Sequence, residues 1–110
     1  MSRRLCLLLV SCFVFATAAL PAEAGVKLTV PAARERAAAF AANTCAHDKS
    51  CADSGVRGYR RHSDRIVLCR IFDHRKTEEQ GNFICTRLVR LALKPPSARV
   101  FVTGLGDWAC

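Results

Sequence analysis

The chain has 110 residues, 17 of them basic and 9 acidic, for a formal net charge of +8. That length leaves room for one modest core rather than several domains, and the charge directs attention to anionic partners. No apolar run reaches the roughly 20 residues of a stable membrane span, and no catalytic signature is recognisable along the chain.

Residues 1–24 read as an export signal. Arg3 and Arg4 form a positive start, Leu5 to Leu20 an apolar stretch broken by Ser11 and Thr17, and Ala22-Glu23-Ala24 a small-x-small cleavage site. Cleavage there starts the mature chain near Gly25, leaves a single small secreted or periplasmic domain over 25–110, and changes the formal charge from +8 to +7. Leu9-Val10-Ser11-Cys12 also resembles a lipoprotein box with Cys12 as the lipidated residue. That cleavage would strand the apolar stretch from Phe13 to Leu20 at the mature N-terminus.

The mature chain begins with Val26-Lys27-Leu28-Thr29-Val30, whose alternation is that of a short half-buried strand. Pro31 suits the first turn of a helix, and Ala32 to Cys45 is dense in alanine, the best helix former. Val30, Ala33, Ala37, Phe40, Ala41 and Thr44 fall on one stripe, with Phe40 its only bulky member. A polar turn, His47-Asp48-Lys49-Ser50, follows. Period-two patterning then predicts strands over Val56 to Arg61, Arg65 to Phe72, Asn82 to Leu93 and Arg99 to Thr103. The connections are a tight His62-Ser63-Asp64 turn, a long charged Asp73 to Gly81 loop and a Pro95-Pro96 turn. The expected fold is α+β: one N-terminal helix on a four-stranded antiparallel meander, stabilised by disulfides.

Turns centred near Thr77 and between Pro95 and Pro96 pair Cys69 with Cys85, Ile71 with Phe83, Val89 with Val102 and Leu91 with Val100. One face then collects Val67, Cys69, Ile71, Phe83, Cys85, Val89, Leu91, Val100 and Val102 as a floor for the helix. Arg87 is the misfit on that face. The opposite face shows Arg60, Arg70, Arg90 and Arg99 among Ile66, Leu68, Phe72, Ile84, Leu88 and Phe101. Guanidinium forks interleaved with apolar side chains suit an anionic polymer or an acidic protein. Arginine stems also cover outward aliphatics on any one-sided sheet, so salt- and site-dependent binding separates the two readings.

Five cysteines remain after residue 24, an odd number that leaves the connectivity open. Sharing a face and a register makes Cys69–Cys85 the first expected bridge. Cys45–Cys51, bracketing the polar turn, is the second, and Cys110 is then free or paired between chains. Cys45, His47 and Cys51 do not have the spacing of a common zinc site, and neither a metal nor another cofactor is expected.

His47, His62 and His74 lie near Asp48, Asp64 and Asp73, which admits an acid–base reading and a small secreted hydrolase acting on nucleic acid. All three fall in expected turns, and no residue is assigned a catalytic role. A third possibility, an inhibitor of a secreted enzyme, rests on the Asp73 to Gly81 loop as its protruding element.

Arg60-Arg61-x-Ser63-x-x-x-Val67-x-Cys69, together with the exported alanine-rich helix, resembles small secreted bacterial proteins that carry no assigned activity. The resemblance implies a shared scaffold and transfers no site, and Tyr59 stands where such proteins would have another cysteine. The functional expectation is a secreted, non-enzymatic basic domain that binds an anionic envelope polymer or a protein partner through its Arg-rich sheet face.

Overall fold

The computed structural model describes residues 26–110, so the export signal and the Cys12 alternative lie outside the described residues. Helix α1 runs Val30–Ala46. It starts where Thr29, in extended conformation, accepts the Ala32 N–H on its hydroxyl at 3.2 Å, with Pro31 in the first turn. The expected strand over 26–30 is not formed. Leu28 instead donates its N–H to the Asp64 carbonyl at 2.8 Å and buries its side chain, while Val30 has already entered the helix.

Ala33, Ala37 and Ala41 are the buried residues of α1, one per turn. With only methyl groups on that stripe, the helix can lie close to the sheet. The core beneath it is Leu28 with Val67, Cys69, Ile71, Val89, Leu91 and Leu93, and Phe40 packs half-buried at its margin. Leu28 is among the largest fully buried side chains, and such a burial contributes about 2 kcal/mol. The anchoring role expected of Phe40 is thus shared with the segment that precedes the helix.

Four strands, β1 (Cys51–Ser63), β2 (Ile66–Thr77), β3 (Gly81–Leu93) and β4 (Val100–Leu105), form an antiparallel sheet in the order β1-β2-β3-β4. The helix packs chiefly on β1 and β2. The expected architecture is therefore present, but its pairing is displaced. Cys69 faces Val89, Ile71 faces Arg87 and Arg75 faces Phe83, while Leu91 faces Val102 and Leu93 faces Val100. Cys69 lies four residues from its expected partner and Leu91 two. Even displacements leave every side chain on its expected face, because strand side chains alternate with period two.

The cause is the β2–β3 turn. The ladder continues through Lys76–Asn82 and Thr77–Gly81, so the long charged loop is a turn of three residues, closed by Gln80 N–H on Thr77 Oγ1 at 2.9 Å. Gly81 has φ +71, a conformation that favours glycine. The protruding loop on which the inhibitor reading depended is accordingly absent from the described residues.

The register also decides the disulfides. Cys45–Cys51 forms across the polar turn, as expected, with Cα atoms 5.3 Å apart. Cys69–Cys85 does not form. The two cysteines are offset by four residues along adjacent strands, roughly 13 Å, which is beyond the ~7 Å that a bridge can span. Cys85 is bonded to Cys110 instead, and Cys69 is free and buried under the helix. Burial holds its thiol above the usual cysteine range.

Beyond β4 the chain continues in the same direction along the edge of β3. Gly106 donates to Leu88 O at 2.9 Å, and Thr86 and Ala109 exchange both backbone hydrogen bonds at 2.8 Å. The tail carries Trp108 to the part of the helix-side face that α1 covers least. There Arg87 finds its place: its Nε donates to Gly106 O at 2.7 Å and its guanidinium lies 4.9 Å from the Trp108 ring centre.

Candidate functional site

The arginines of the strands divide by face into partnered and unpartnered groups. On the helix side, Arg61 donates to the carbonyls of Leu28, Ser63 and Asp64, tying the lead-in segment to the β1–β2 hairpin. Arg75 pairs with Asp73 at 3.2 Å and stacks on Trp108 at 4.9 Å. Arg87 is held as described above. Each of these has a structural task.

On the outer face, Arg60, Arg70 and Arg90 are exposed, and none donates to another described residue. Among the described residues the one ion pair within 4.0 Å is Asp73–Arg75, so no carboxylate neutralises the outer cluster. The ladder holds it together. Arg60 and Arg90 both flank Leu68, one on each neighbouring strand, while Arg70 stands between Gly58 and Leu88. Arg70 is diagonal to both other arginines, a relation that separates Cβ atoms by roughly 7–8 Å.

A fourth member, Arg57, was not legible in the sequence. Strict alternation over Val56 to Arg61 puts residue 57 out of phase with Arg60, but the β1–β2 register shifts between Val56 and Gly58. The bulge frees Arg57 to lie over the outward ring of Phe72, 5.3 Å from its centre. Val56-Arg57-Gly58 does offer a signal, since glycine next to a strand's polar residue often marks a bulge. Arg57, Arg60 and Arg70 line one open groove of about 370 Å³ together with Gly58, Tyr59, Leu68 and Leu88. Gly58 contributes by having no side chain.

Arg99 does not join this cluster. It precedes β4 at the sheet's edge, stacks on Phe101 at 5.3 Å, and lines a separate depression with Glu35 and Arg36 of the helix. Of the expected Arg60, Arg70, Arg90 and Arg99, the ladder thus brings the first three together, sets Arg99 apart and adds Arg57 beside them. Apolar residues accompany the cluster as expected: Leu68 and Phe72 are half-buried, and Ile84 and Leu88 are 41% and 37% exposed.

The histidine–aspartate neighbours do not assemble. His62 sits at the β1–β2 turn and His74 near the other end of β2, roughly 25 Å away along the strand. Asp73 and His74 point to opposite faces, with Asp73 buried under the helix layer and its Oδ2 on Arg75. His47 caps α1, with Nδ1 2.8 Å from Asn43 O. Asp48 accepts from the Ser50 hydroxyl and N–H, which hold its carboxyl below the usual range. These contacts make turns and caps rather than a proton-transfer pair.

No group of three or more His, Cys, Asp and Glu among the described residues is placed to hold a metal ion. No described helix is long and apolar enough to cross a membrane, and the two disulfides accord with an oxidising, extracytoplasmic environment. Neither a family model nor a curated protein nor a solved structure matches the chain.

Proposed function

We propose that this protein is an exported binding module whose outer sheet face engages anionic material of the cell envelope. The observation that carries the reading is the contrast between the two faces. Arginines on the helix side are consumed by carbonyls, a carboxylate and Trp108, whereas Arg57, Arg60, Arg70 and Arg90 are gathered around Leu68 and Leu88 with no anionic partner. Holding like charges together costs free energy that an anionic ligand relieves. Export by residues 1–24 would deliver this face to an envelope rich in phosphate and carboxylate.

The scattered histidines supply no acid–base pair for a nuclease mechanism. Incubation with RNA and, separately, with an anionic resin tests the reading. Retention that is lost on raising salt, with the RNA left intact, supports a binding module, whereas turnover of the RNA contradicts it.

A further inference from the structure

We infer that the anionic material recognised by the outer face is the phosphate-bearing surface of a lipid bilayer, with Ile84 and Leu88 entering between headgroups. This rests on the binding-module reading above and narrows it. The first ground is what the face leaves open. Its two aromatic rings are already engaged: Phe72 by Arg57 at 5.3 Å, and Phe101 by Arg99 at 5.3 Å and Lys94 at 5.7 Å. Sequence-tolerant binding of single-stranded nucleic acid relies on open rings on which successive bases stack. The exposed apolar groups in register with the outer arginines are aliphatic, Ile84 and Leu88 of β3, whereas Tyr59, 53% exposed, pairs with buried Cys69 and so falls on the helix-side phase of β1.

The second ground is their arrangement. Leu88 lies beside Arg70 and within the row spacing of Arg60 and Arg90, and Ile84 continues the same face of β3 four residues away. Aliphatics in register with guanidinium groups present two complements at once, anionic headgroups for the charges and the acyl boundary for the side chains. Membrane association of this kind grows with buried apolar area and with attraction to anionic lipid. A soluble polyanion has a use for the arginines alone.

The test compares the purified, disulfide-bonded protein on vesicles of phosphatidylcholine, on vesicles containing one third phosphatidylglycerol, and on soluble polyglutamate. Partitioning should require phosphatidylglycerol. Arg70→Ser with Arg90→Ser should weaken it roughly 25-fold, about five-fold per arginine, and should weaken polyglutamate binding as well. Ile84→Ser, at a position outside the groove lining, should lower vesicle partitioning several-fold and leave polyglutamate binding unchanged, because its side chain is already exposed. Far-ultraviolet circular dichroism of each variant confirms that it is folded. Binding to polyglutamate without binding to anionic vesicles, or vesicle binding indifferent to Ile84→Ser, overturns the lipid inference and leaves the binding module standing. Failure to bind either overturns both.

Discussion

Gly58 stands opposite Arg70 on the outer ladder, and a methyl group at position 58 would meet no atom within 4 Å. This open space is one wall of the arginine groove. Filling it is therefore a local way to test the face without disturbing the core.

Gly58→Asp should place a carboxylate beside Arg70. Stability should change by no more than about 1 kcal/mol, since the position is an open one on an edge strand. Affinity for an anionic ligand should fall several-fold. Denaturant unfolding read beside binding checks both parts, and retained affinity would show that the groove is not the contact surface.

The two disulfides differ in the loops they close. Cys85 and Cys110 are separated by 25 residues, Cys45 and Cys51 by 6. Chain entropy alone assigns about 3.5 kcal/mol to the longer loop and about 2.4 kcal/mol to the shorter. The double serine variant at 85 and 110 should be the less stable of the two bridge deletions. It should also alter the native fluorescence of Trp108, the chain's one tryptophan, by loosening the tail that carries it. Guanidinium titration of both variants, followed by fluorescence, measures the order.

Cys69 lies at zero exposure beneath α1, and burial disfavours its thiolate. A thiol reagent should leave it unlabelled in the native protein and label it on unfolding. Peptide mapping of the labelled product places the free thiol. Native labelling at Cys85 or Cys110 would contradict the tail disulfide.

Much of the fold was legible because period-two patterning survives errors of register. Misplacing the β2–β3 turn by two residues moved every cross-strand partner yet left Val67, Cys69, Ile71, Val89 and Leu91 on the buried face, and Arg70 and Arg90 on the outer one. Lys76 and Thr77 hid the true end of β2. They are polar, and a ladder between backbones extends without apolar side chains. Disulfides tolerate no such error, since pairing depends on distance rather than face, so the expected Cys69–Cys85 bridge failed. Arg57 was hidden by a bulge. Arg87 was hidden by a tail whose place along the edge of β3 depends on contacts made only in the folded state, Trp108 against Arg75 and Arg87. Asp73 read as a loop residue because its partner Arg75, two residues on along the same strand, becomes a partner only once β2 is extended that far.

The outer arginine cluster as the binding surface is tested most directly by a charge-matched comparison across salt. Arg70→Ser with Arg90→Ser and Arg34→Ser with Arg36→Ser each remove two exposed cations, the first pair from the outer face and the second from α1. Affinity for a soluble polyanion is measured for both variants and the parent protein over a range of salt concentrations. The outer-face variant should bind far more weakly and show a shallower logarithmic salt dependence, smaller by roughly two, while the helix variant stays close to the parent. Equal losses in the two variants would mean that net charge alone drives binding and that the outer face is an ordinary solvated surface.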